Sequence, residues 1–195
     1  MEMKDFFDFA SQPASSTVQA HPSELSIDPM KLIKGNYQDV DLPIIFKQVY
    51  GNKLYDILDT GCAGFFLISE RMKKILEENS LTGWKTFPIK LYDKKGSEIT
   101  GYHGFSVVGH SGPTNYKNSE IVERRKVSTG PLCKYYKGVS VDNWDGSDFF
   151  TPEKTYQTFI TKKAADILKK NKITNMYIEN LADHQIAVRY IEKDS

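Results

Sequence analysis

The chain has 195 residues, 39% hydrophobic and 12% aromatic, which is enough for one domain with a substantial core, or two small ones, and it should fold alone. Twenty-six basic and 25 acidic residues leave a formal charge of +1, so no global field recruits nucleic acid or an anionic membrane. Two cysteines, Cys62 and Cys133, exclude a disulfide framework, and no apolar stretch approaches the length of a membrane span.

The first ten residues, MEMKDFFDFA, lack the basic start and long apolar core of a secretory signal, so a reducing cytoplasmic home is expected. Residues 1–30 read as a flexible N-terminal extension, because Ser11 to Ser26 is rich in Ser, Ala, Pro and Gln and has no periodic apolar signal. Phe6, Phe7 and Phe9 stand out within it: they either pack back onto the domain or form a docking peptide. Residues 31–195 read as a single domain. After Asp41, Ile44 to Tyr50 and Leu54 to Leu58 are strand-like, and Gly51-Asn52 between them signals a hairpin.

From Phe66 to Gly83 the chain makes a unit that returns, weakened but in register, between residues 158 and 175. Ile68, Ile75, Leu76, Asn79 and Thr82 match Ile160, Ile167, Leu168, Asn171 and Thr174 at a constant offset of 92. Each copy opens with an apolar strand and continues through a hydroxyl residue, Ser69 or Thr161, suited to a helix N-cap. An amphipathic helix follows, with Met72, Ile75 and Leu76, or Ala164, Ala165, Ile167 and Leu168, on one stripe. Asn79 and Asn171 are expected in the left-handed turn that ends it.

Between the copies, Phe87 to Tyr92 and Ile99 to Tyr102 read as strands about the Asp93–Gly96 turn, and Phe105 to Val108 as another. Asn115 to Lys137 is polar and reads as an irregular or edge region. Met176 to Tyr190 suggests one or two last strands. The expected class is therefore α+β, with a largely antiparallel sheet and two strand–capped helix–turn units packed on it.

Catalytic signals are sparse. Asp59-Thr60-Gly61 resembles the catalytic loop of retroviral-type aspartic proteases, in which two symmetry-related aspartates share a proton, and Val107-Val108-Gly109 resembles a second element of that fold. Here the tripeptide runs into a capped amphipathic helix, and a strand-ending turn is the simpler reading. The histidines and cysteines lack zinc-site spacing, a Cys-His pair is not readable from sequence, and no phosphate-cradling glycine motif occurs. No cofactor or metal is expected. Arg124, Arg125 and Lys126 with Lys134 to Lys137 have the composition of a single-strand nucleic-acid surface, but near-neutral overall charge favours a solvated loop.

The stretch from Asp142 to Phe150 places Asp142, Asp145 and Asp148 around Trp144. Two readings stay open: Trp144 pins the loop onto the core while the aspartates make turns, or it anchors a basic partner. On the second reading Tyr102 and His103 extend the partner-binding surface.

Leu67-Ile68-Ser69-Glu70-Arg71, Leu81-Thr82-Gly83-Trp84, Phe87-Pro88, Tyr102, Gly112-Pro113 and Asp145 to Phe150 before Phe159-Ile160-Thr161 together resemble a bacterial family. It was once a domain of unknown function and is now the eleventh family of immunity proteins of polymorphic toxin systems. The resemblance spans roughly Leu54 to Leu181. It implies a small, cofactor-free cytoplasmic protein that binds a cognate toxin and blocks it, and it carries over no catalytic residues. The expected role is therefore binding rather than catalysis, with the acidic and aromatic surface centred on Trp144 occluding the toxin's active site. A small hydrolase built on Asp59 or a Cys-His pair, and a nucleic-acid-binding module, are the alternatives.

Overall fold

A computed structural model describes residues 3–12, 14–23, 28–38, 40–125 and 127–188, so the expectations for Lys126 and Tyr190 lie outside the described residues. A 3-10 turn at Met3–Asp5 leads into strands β1 (Phe6–Ser11) and β2 (Gln19–Pro22), helix α1 (Pro29–Ile33) and β3 (Ile44–Tyr50). Next come β4 (Ile57–Asp59), β5 (Phe66–Ser69), α2 (Glu70–Glu78), β6 (Trp84–Phe87), β7 (Ile89–Tyr92), β8 (Glu98–Ile99) and β9 (Tyr102–Val107). The chain continues through β10 (Gly109–Ser111), β11 (Thr114–Asn115), β12 (Glu120–Arg125), β13 (Leu132–Lys137) and β14 (Ser140–Val141). It finishes with β15 (Phe149–Pro152), β16 (Thr158–Thr161), α3 (Lys162–Lys170), β17 (Met176–Asn180) and β18 (Gln185–Ala187).

The class is broadly α+β, dominated by curled sheet. One sheet has the order β6-β9-β5-β4-β2-β3-β7-β8 and another β10-β15-β16-β1-β17; β12-β13-β18 and β11-β14 form smaller ones. Most pairings are antiparallel; the parallel ones are β2 with β4, β3 with β7, and β10 with β15.

The two large sheets share a four-stranded unit. In the first copy Ile57 and Leu58 pair with Ile68 and Leu67; at the same offset of 92, Phe149 and Phe150 pair with Ile160 and Phe159. The next strand comes from different parts of the chain. In the first copy β9 lies beside β5, with Phe66 opposite Phe105 and Ser69 opposite Tyr102. In the second copy β1 takes that place, with Thr158 opposite Phe9 and Thr161 opposite Phe6. The outer strand repeats the match: Trp84 faces Val107 on β9, and Met176 faces Ser11 on β1.

The N-terminal strand thus completes the C-terminal copy, which corrects the expectation that residues 1–30 form a flexible extension. Adjacent phenylalanines, Phe6 and Phe7, point to opposite faces of an interior strand, and Phe9 shares the face of Phe7. Phe9 enters the core between the copies, with Phe7 packed against it, and Phe6 enters the opposite face. Fully burying such a side chain stabilises by about 1.5–3 kcal/mol. The Ser- and Pro-rich stretch also contributes β2, with Ala20 buried within it and Val18 buried just before it.

Strand β2 accounts for a second correction. It lies between β3 and β4, pairing with both, so Gly51-Asn52 does not close a hairpin between those strands. A third concerns residues 115–137, where β12 and β13 form a regular hairpin from Glu120–Lys137 to Arg125–Leu132. Its exposure on both faces of β12 removes the alternation by which a strand is usually recognised.

Helices α2 and α3 begin at Ser69 and Thr161, whose hydroxyls accept from the Met72 and Ala164 N–H groups. Asn79 and Asn171 close them with negative φ, −98° and −83°, rather than in the left-handed region. Their side-chain amides donate to the Ile75 and Ile167 carbonyls at 2.8 and 2.9 Å, so each asparagine caps through its side chain. The left-handed positions fall one residue later, at Ser80 and Lys172, and again at Gly83 and Asn175. Met72, Leu76, Ala164 and Leu168 meet Ile57, Ile68, Phe149 and Ile160 in one core between the copies. The outer face of the first copy packs on Leu32, Ile33 and Phe46; that of the second packs Phe150 and Phe159 with Phe6, Val139 and Leu181.

Candidate functional site

Two buried aspartates lock the copies to each other. Asp56 accepts from Ser69 Oγ (2.8 Å) and Arg71 Nη1 (2.6 Å) of its own copy, and from Thr174 N and Oγ1 (both 2.9 Å) of the other. Asp148 accepts from Thr161 Oγ1 (2.9 Å) and Lys163 Nζ (3.3 Å), and from Thr82 N (3.0 Å) and Oγ1 (3.3 Å) across the divide. All participants in the second set stand 92 residues from their counterparts in the first, with the crossed threonines exchanged. Both aspartates are 7% exposed. Burial pushes the Asp56 carboxyl up, but the bonds from Thr174, Ser69 and Arg71 outweigh it and hold the carboxyl below its ordinary value. Asp148, expected on a partner surface, is therefore a structural clamp.

The loop beyond that clamp carries the other residues of the acidic candidate. Strand β15 fixes its far end, and Trp144 pins its middle: the indole meets Phe6 edge-on at 5.1 Å, lies 6.0 Å from Phe150, and donates from Nε1 to the Ser147 carbonyl at 2.9 Å. The ring is half-buried, both a peg in the outer core of the second copy and a partly open surface. Asp145 accepts from the His110 N–H (2.8 Å) and the Ser147 N–H (2.9 Å), and its carboxylate lies 3.1 Å from His110 Nδ1. Partial burial raises the Asp145 carboxyl, yet the Ser147 and His110 hydrogen bonds and the His110 charge leave it below the ordinary range. Asp142 is exposed and accepts from Asn115 Nδ2 at 3.1 Å. Asn143 and Gly146, both at positive φ, make the corners. The loop is thus preformed, with the Asp142 side chain exposed, the Asp145 carboxylate held within the loop and the indole partly open.

Tyr102 and His103 belong to the first copy, opposite Ser69 and Ile68. The Tyr102 hydroxyl donates to the Tyr55 carbonyl at 2.8 Å; burial and the nearby Asp56 charge push its pKa up to about 12. His103 Nε2 lies 2.6 Å from Glu70 Oε2 at the start of α2, and that hydrogen bond holds the Glu70 carboxyl below its usual value. They sit on a different copy from Trp144.

Asp59 lines a cavity of about 480 Å³ with Phe9, Ser11, Cys62 and Thr158. Its carboxylate accepts from the Gly61 N–H (2.6 Å), Gln19 Nε2 (3.1 Å) and Ser11 Oγ (3.2 Å). Its counterpart in the second copy is Thr151, so the internal pseudosymmetry brings no second aspartate to it. The tripeptide is a strand-ending turn; Thr60 Oγ1 donates to the Phe65 carbonyl at 2.9 Å. In the basic patch, Arg124 covers the Tyr135 ring at 4.5 Å, Tyr135 is buried, and Tyr136 packs against Tyr116 at 5.6 Å. Burial leaves the Tyr135 ring no face for a stacked base, and Tyr136 already has an aromatic neighbour.

Sequence reasoning missed Asp56, which lies ahead of the visible repeat. The available signal was the offset itself, since Asp56 and Asp148, and Arg71 and Lys163, are also 92 apart. Among the described residues no helix is long and apolar enough to cross a membrane. No curated protein matches the chain. Residues 10–183 match the immunity protein family Imm11, a span that begins within β1 and runs through both sequence repeats and the strands between them, and the chain belongs to that family.

Proposed function

We propose that this protein is the immunity partner of a bacterial toxin, acting by binding rather than catalysis, and that the Asp142–Gly146 loop forms part of the surface that covers the toxin's active site. Family membership across residues 10–183 carries the reading. The loop supports it further. Asp142 is exposed near Trp144, Asp145 is held within the loop by Ser147 and His110, and the packing of Trp144 on Phe6 and Phe150 has already met the cost of ordering it. Such a surface suits a basic toxin face, with charge steering the encounter and the indole contributing contact area. A cytoplasmic location fits a protein that meets the toxin inside the cell.

The test is binding of the toxin encoded beside the gene, held in a catalytically inactive form. Asp142→Lys should leave stability unchanged, because Asp142 has one exposed side-chain partner, and should slow association several-fold with an effect that shrinks as salt rises. Trp144→Ala should weaken binding by about thirtyfold or more. Unchanged binding kinetics in a folded Asp142→Lys variant would move the contact surface elsewhere.

A further inference from the structure

Strand β12 forms one edge of the β12-β13-β18 sheet, and its six residues make it the longest outer strand among the described residues. Only Val122 is partly covered; Glu120, Ile121, Glu123, Arg124 and Arg125 are exposed, with Ile121 at 58%. An uncovered edge of this length offers unpaired N–H and C=O groups to another strand. The sequence Glu-Ile-Val-Glu-Arg-Arg has two acids and two bases, so its charge complements itself rather than one sign of partner.

We propose that β12 pairs antiparallel with β12 of a second copy of this chain, joining two hairpins into one continuous sheet. A two-fold axis perpendicular to the sheet keeps every side chain on its own face, so opposing residues must have the same parity along the strand. Two centred registers are then available. With Glu123 on the axis, like charges stand directly opposite each other. With Val122 on the axis, each Glu120 faces an Arg124 of the other copy, Ile121 faces Glu123, and the two Ile121 side chains become diagonal neighbours within reach of each other. The second register pairs the charges and covers the exposed isoleucines, and the proposal commits to it. A small edge interface of this kind gives a weak dimer, populated as the concentration rises through roughly 10 µM to 1 mM.

Sedimentation equilibrium of the full chain alone tests this. The wild type should show a concentration-dependent dimer, Glu120→Arg should weaken it by about tenfold or more, and the exchange Glu120→Arg with Arg124→Glu should restore much of the loss. Register is read by oxidation in a Cys133→Ser background. Val122→Cys should form an interchain disulfide, because residues facing each other on the axis lie within bridging distance, and Glu123→Cys should not. A monomer throughout that range would overturn the proposal and leave the edge free for another partner. So would a dimer indifferent to Glu120→Arg, or one that cross-links through residue 123 but not 122.

Discussion

Asp56 and Asp148 are the residues on which the arrangement of the two copies depends most directly. Each gathers its own helix cap and cation and the backbone and hydroxyl of a threonine from the other copy. Replacing either by alanine strands buried donors, and the expected cost is about 2–4 kcal/mol by chemical denaturation, similar at the two sites because the partners are equivalent. The Asp56 carboxyl is lower in the folded protein than its ordinary value of 3.8, so its contribution is whole above that pH and fades as the pH falls through the folded value. The stability gap between wild type and Asp56→Asn should therefore hold from neutrality down to about pH 4 and close below it; a gap that widens on acidification would contradict the clamp. The clamp was hard to read from sequence because a lone aspartate ahead of a strand has no local pattern, and only the fold reveals which threonine it meets.

Among the elements, α2 and α3 carry matched leucines, Leu76 and Leu168, both fully buried in the core between the copies. Truncating either to alanine should cost about 2–5 kcal/mol, and a markedly smaller loss at one would show that the copies do not share the core equally. Strand β1 makes a sharper case. It lies between β16 and β17, so deleting residues 1–11 should expose the edges of both and abolish cooperative unfolding, whereas a chain that kept a sharp transition without them would contradict its place in the sheet. The helices and their hydroxyl caps were legible because caps and stripes are local. Strand β1 was not, since its pairing partners follow it by about 150 residues or more, and the β12–β13 hairpin was hidden by side chains exposed on both faces.

In the whole molecule, the two copies build the frame, and the Trp144 loop rests on the second copy against Phe6, so the N-terminal strand supports the proposed binding surface as well as the sheet. The acidic cluster around Trp144 was visible in the sequence, but its division of labour was not: Asp148 faces inward to the clamp, and Asp145 holds the loop through Ser147 and His110. The short motifs that carried the resemblance, from Leu67 to Thr161, all fall within the residues that match the family. The claim that this protein neutralises its toxin by occupying it, without chemical turnover, is tested most directly by titrating the purified chain into the active toxin and following residual toxin activity. Residual activity should fall linearly to zero at one chain per toxin, with the toxin left covalently unchanged. Complete inactivation by a small fraction of an equivalent, or full activity in the presence of excess chain, would contradict it.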